Sequence, residues 1–81
     1  MTFPLFSRVI LVEDILEENL FAGDIGTVVE YYPATNENPE GYEVEFFSAN
    51  GETLAVVSLI AAALRAATRR DILHVRQLMA A

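Results

Sequence analysis

A mainly β fold, a small antiparallel sheet of about five strands bent toward a barrel, is predicted by three observations. Runs rich in β-branched and aromatic residues recur through the first sixty positions, each bounded by glycine, proline, asparagine or acids. "YEVEFF", Tyr42–Phe47, alternates with a period of two, the mark of a strand with one wet face. Asn50-Gly51 stands between two such runs, a strong hairpin signal. Eighty-one residues, 53% of them hydrophobic, suffice for one domain over 1–81.

The elements follow in order. "RVILVED", Arg8–Asp14, is a β-branched run ending in acids, apolar on both faces and so expected to be covered on both. "ILEENLFAG", Ile15–Gly23, keeps no period of two and is expected to form a compact loop tucking Ile15, Leu16, Leu20 and Phe21 inward. "DIGTVVEYY" supplies the second strand, with Thr27, Val29 and Tyr31 on one face and Val28, Glu30 and Tyr32 on the other. "PATNENPEG", Pro33–Gly41, is a polar loop. In the third strand Tyr42, Val44 and Phe46 point to the core, and Glu43 and Glu45 to solvent. "TLAVVS", Thr53–Ser58, returns after the hairpin.

Beyond Ser58, the alanines of "LIAAALRAA" predict a short helical turn near residues 59–64, then a short strand at Leu64–Ala67. In "RRDILHVRQLM" alternation aligns Leu73 with Val75, whereas helical spacing aligns Ile72, Val75 and Met79; we read a strand. Four or five short strands, polar turns and almost no helix amount to an SH3-like barrel.

The glycines of "FAGDIGTVVEYY" pose a choice between a ligand cradle and a turn. Gly23 and Gly26 flank Asp24 ahead of a strand, and glycine gives the chain the freedom a tight corner needs. Asp24 is expected to accept a hydrogen bond from nearby backbone N–H groups. A phosphate cradle needs a following helix or a Gly-Lys ending, and the chain has no lysine. The corner is read as a turn.

Charge narrows the partner class. The net charge is −7. Residues 1–52 hold eleven acids and Arg8 alone, net −10, whereas 53–81 hold four arginines against Asp71, net +3. An acidic body repels the phosphates that supply most nucleic-acid affinity, so nucleic acid is a poor ligand. No cysteine is present, which excludes disulfides and thiolate metal sites. The N-terminal stretch has neither a basic start nor a long apolar run, so no signal or membrane span is expected and a cytoplasmic location is.

The catalytic and metal-binding patterns in the chain are incomplete. Asn36, Asn38, Glu40 and Gly41 imitate the opening of a calcium loop, but its twelfth position falls on Phe47, where a bidentate glutamate is required. His74 is the sole histidine, and Ser7, Ser48 and Ser58 lie in no nucleophile context. Glu43 and Glu45, about 7 Å apart along a strand, match the spacing of a carboxylate pair but equally the ordinary wet face of a sheet. No catalytic residue, cofactor or metal is therefore expected. More telling are the aromatics: alternation leaves Tyr32 or Phe47 at the surface, rimmed by Glu30, Glu43 and Glu45.

Two resemblances accompany this reading. The Gly-Asp-x-Gly-x-Val step resembles the strand entry of KOW-type SH3-like barrels, which often occur in RNA-associated proteins; the basic residues that would hold RNA are missing here, so only the fold carries over. Over nearly the whole chain, "VILVEDILEENLFAGDIGTVVEYY", "YEVEFFSANGET", "LR" and "ILHVRQL" are similar to a family of small bacterial proteins known as a domain of unknown function. That resemblance implies a compact SH3-like barrel without known catalysis. Some members are encoded beside predicted toxins, which implies an antitoxin or immunity role.

The expectation is a non-catalytic acidic module that binds one protein partner, a basic one, through Glu30, Tyr32, Glu43, Glu45 and Phe47. The alternative is a structural subunit that self-associates as a homo-oligomer, its oppositely charged regions meeting head to tail.

Overall fold

The computed structural model describes residues 2–78. Its five strands are β1 (Arg8–Leu11), β2 (Ile25–Tyr32), β3 (Gly41–Phe47), β4 (Thr53–Ile60) and β5 (Leu64–Ala66). All pair antiparallel in one sheet of order β4-β3-β2-β1-β5. A three-residue 3₁₀ turn, Ala61–Ala63, joins β4 to β5, and another, Leu16–Glu18, lies between β1 and β2.

The connection between the edge strands dictates the curvature. Five flat strands would set their outer edges about 19 Å apart at about 4.8 Å per gap. A 3₁₀ turn rises about 2 Å per residue, so Ile60 to Leu64 spans only about 8 Å. The sheet must therefore curl until β4 and β5 meet at that corner. Val12 N–H donates to Ala63 O at 2.9 Å and Ala61 N–H to Glu40 O at 2.9 Å, fastening the corner to both sides of the sheet. This is the bent five-stranded arrangement, with its turn at 61–63, that the sequence predicts.

The concave face holds the core: Val9, Leu11, Val28, Tyr42, Val44 and Phe46 are all buried, with Leu20, Leu59 and Leu64 closing around them. Phe3 plugs one end, its ring 5.1 Å from that of Tyr42. The Tyr42 hydroxyl accepts hydrogen bonds from the N–H groups of Thr2 and Phe3, which satisfies a phenol that is wholly buried. Ile10 is also buried but points the other way, into a groove it shares with Ile25, Leu73 and Val75. β1 is thus covered on both faces, as its unbroken apolar run implies.

Several expectations are corrected. In β2 a bulge lies between Val28 and Glu30: Val28 pairs with Val44, and the next pair is Glu30 with Glu43. The extra residue reverses the alternation, so Tyr31 turns to the core side beside Tyr42 while Glu30 and Tyr32 turn outward, away from the face of Val28. Leu16 is exposed, because the 15–20 loop closes through an Ile15–Leu20 bridge and reverses at Asn19, φ 60°, leaving Leu16 on the outside of the turn. The hairpin turn is not a two-residue one. Gly51 N–H returns to Ser48 O, and only Gly51 has positive φ, so a four-residue turn ends in a left-handed glycine.

The largest difference lies after β5. Residues 71–78 form neither strand nor helix, and Met79 lies outside the described residues. The strand expected there does not form: residues 71–78 ladder with neither outer edge of the sheet, that of β5 or that of β4. The segment is instead tied at two points by its charges. Asp71 takes both guanidinium nitrogens of Arg65, and Arg76 reaches back to Asp24.

Candidate functional site

The outward-facing positions of β2, β3 and β4 form one continuous surface. Register brings Glu30 opposite Glu43, Thr27 opposite Glu45, Ser58 opposite Glu43 and Val56 opposite Glu45. Like charges directly opposite one another cost stability unless something offsets them. Here neutral hydroxyls do so. The Tyr32 hydroxyl donates to Glu43 Oε2 at 3.2 Å, Ser58 Oγ to Glu43 Oε1 at 2.5 Å, and Thr53 Oγ1 to Glu45 Oε2 at 2.6 Å. These bonds orient the carboxylates without neutralising them. Among the described residues the ion pairs are Arg65–Asp71 and Arg76–Asp24, so no cation compensates Glu30, Glu43 or Glu45.

Tyr32 stands within this acidic field with 43% of its surface exposed. Desolvation of the ring, then the bond to Glu43, push its phenol up from the ordinary 10.0, so the hydroxyl stays protonated and remains a donor. Of the five residues singled out by sequence, Glu30, Tyr32, Glu43 and Glu45 are thus brought together. Phe47 shares the face but lies at its far end, half exposed, where it borders the groove under the C-terminal segment. Sequence reasoning passed over the outward residues of β4: Val56 and Ile60 are both about half exposed and extend the same surface. The alternation of "TLAVVSLI" carried that signal.

The glycine corner is structural, with one correction. Gly23 has φ 97°, as a turn requires. Gly26 does not, and is glycine for a different reason: a Cβ there would lie 2.6 Å from Val44 Cγ1 and 2.9 Å from Glu45 O. Asp24 accepts from Phe21 N–H at 2.8 Å, the turn bond anticipated for it. It also accepts from Arg76 Nε at 2.9 Å, while the Arg76 guanidinium lies 4.5 Å over the Phe21 ring. That pairing spans 52 residues, and nothing local in the sequence announces it. His74 is exposed, and no group of three or more His, Cys, Asp or Glu able to hold a metal occurs among the described residues.

The model of a family described as a domain of unknown function, DUF4926, matches residues 5–66. The chain belongs to this family. The match runs from just ahead of β1 to the last residue of β5, so the DUF4926 domain coincides with the bent sheet and stops where regular structure stops. Comparison with curated proteins and with solved structures gave no match. Among the described residues, no helix is long and apolar enough to cross a membrane.

Proposed function

We propose that this DUF4926 domain is a non-catalytic, cytoplasmic protein-binding module whose acidic outer face engages one basic protein partner. The observation that carries the reading is the set of Glu30, Glu43 and Glu45, uncompensated among the described residues, around the half-exposed ring of Tyr32. Uncompensated carboxylates on a rigid sheet steer a basic partner into encounter, and an aromatic at their centre supplies contact energy once water is excluded. The hydroxyls of Thr53, Ser58 and Tyr32 hold the carboxylates in place, so little side-chain freedom is lost on docking. An antitoxin, covering the basic active site of a toxin, is one concrete form of such a module; it rests on the family resemblance.

The test begins with the partner captured on tagged protein at low salt and identified by mass spectrometry. Its association rate is then measured against wild type and a Glu43→Lys/Glu45→Lys variant. Steering predicts an on-rate about tenfold or more lower for the variant at low salt, with the difference shrinking as salt rises. An on-rate that the double charge reversal leaves unchanged sinks the proposal.

A further inference from the structure

Among the described residues, two stretches of backbone have hydrogen-bonding groups without a protein partner. The first is the outer edge of β4. It is an edge strand of eight residues, its ladder runs to β3 alone, and no other backbone bond is made by residues 53–59 among the described residues. Natural edge strands of that length are usually guarded by a charge, a proline or a bulge that twists them away. "TLAVVSLI" contains neither charge nor proline, and its one irregularity lies at its start, opposite Phe47. From Val56 to Leu59 the edge is regular and bare.

The second stretch is residues 72–78. None of their backbone groups takes part in a hydrogen bond among the described residues, and the segment runs without helix, turn or bend. Ile72 is 83% exposed, Val75 88% and Leu73 65%, although each is a strand-forming or apolar residue. This segment lies beyond the family match and adds no residue to the core cluster.

The two stretches are complementary in charge. Beside β4 stand Glu43 and Glu45 without a cation, whereas the C-terminal segment follows Arg69 and Arg70, which pair with no acid among the described residues. We propose that the chain self-associates head to tail: residues 72–78 of one copy add as a further strand to the β4 edge of another. Backbone bonds supply the register-independent part of the affinity, Ile72, Leu73 and Val75 meet the half-exposed Val56 and Ile60, and Arg69 and Arg70 lie against Glu43 and Glu45. The contact is heterologous, since edge and tail are different surfaces; it builds open chains of copies unless two tails exchange reciprocally. It shares Glu43 and Glu45 with the proposed partner face, but its test involves no other protein and its variants leave both glutamates in place, so its failure and that of the binding-module reading are distinguishable.

The experiment is sedimentation equilibrium of the full chain over a range of concentrations, with two full-length variants. Val75→Asp spoils the tail and Val56→Lys spoils the edge. Both positions are more than half exposed, so the fold tolerates them, and circular dichroism checks that it does. Wild type is expected to gain mass with concentration, and each variant to associate at least about tenfold more weakly. Mixed one to one, the variants should form a pair and stop there, because the mixture retains one intact edge and one intact tail. A wild-type mass fixed at one chain overturns the proposal. So does an association that Val56→Lys weakens and Val75→Asp does not, which would mean that the edge pairs with itself.

Discussion

Leu11 and Val75 are both aliphatic residues with acids or bases close by in sequence, yet Leu11 is 1% exposed and Val75 is 88% exposed. The difference is one of cohesion. Residues 5–66 are held by strand ladders and by a core in which side chains from every strand interlock. Residues 67–78 are held by a backbone bond from Ala67 N–H to Arg8 O, by Arg65–Asp71, by Arg76 to Asp24 and to the Asn19 carbonyl, and by one ring contact. A cohesive core resists local change because each side chain touches many others. A segment fixed chiefly by surface ion pairs depends on a few fastenings, the ion pairs among them exposed in part to water and salt. The molecule therefore has one unit that unfolds as a whole and one appendage that can leave without it.

The sharpest way to break the comparison is to remove side chains of similar kind from both regions. Leu11→Ala should cost about 2–5 kcal/mol, since it empties volume that the surrounding strands cannot fill. Val75→Ala should fall within about 0.5 kcal/mol of wild type. Urea denaturation with the slope held common reads both. Were Val75→Ala to cost as much as a core truncation, the tail would belong to the folded unit and the distinction would collapse.

A smaller effect tests why the corner glycines differ. Gly26→Ala drives a methyl into Val44 Cγ1 and the carbonyl of Glu45, and the latter is backbone in a paired strand that cannot move aside. Overpacking of this kind costs about 1–3 kcal/mol. Gly51→Ala meets nothing within 4 Å and is strained only through its φ of 92°, so about 1 kcal/mol is expected. The same denaturation series ranks them, and the reverse order would mean that the hairpin turn, not the β2–β3 approach, limits what the sheet tolerates.

What the sequence made legible follows from the same contrast. Strands with one wet face announce themselves, because burial imposes a period of two: Tyr42, Val44 and Phe46 against Glu43 and Glu45 could be read directly, and the acidic face with them. The bulge at Val29 could not. Both parities of "TVVEYY" place apolar and polar residues acceptably, and only the register against β3 decides that Tyr31 is inside and Tyr32 outside. Phe47 was rightly placed at the surface, but its separation from Tyr32 depends on strand length, which alternation does not fix. The tail was misread as a strand because "DILHVRQ" has strand composition. Composition says what a segment could pair with, not whether the folded chain brings it to an edge. Arg76 was invisible as a fastening, since its partner is set by how the chain folds back.

The smallest expected effect separates the two regions by acid alone. Burial raises the pKa of Asp24, but hydrogen bonds from Arg76 and from Phe21 N–H outweigh it and leave the carboxyl below its ordinary 3.8. A group whose pKa is lowered by folding contributes stability that is fully present above the ordinary value and is lost as pH falls through the lower, folded one. Acidification through that window should therefore release Arg76 while the core, which contains no buried charged residue, stays intact. Asp24→Asn keeps an oxygen able to accept from Phe21 N–H but removes the charge, so its tail should be loose at every pH. The Arg76 Nε–H resonance, followed by NMR from neutral to acid, reads the fastening directly, and the Val44 and Phe46 amides report the core. In wild type the Arg76 signal should move below the ordinary carboxylate value and the core amides should not; in Asp24→Asn it should start at the acid position and stay there. If core and tail signals collapse together in acid, the tail is part of the cooperative unit after all, and the ion pairs are not what hold it.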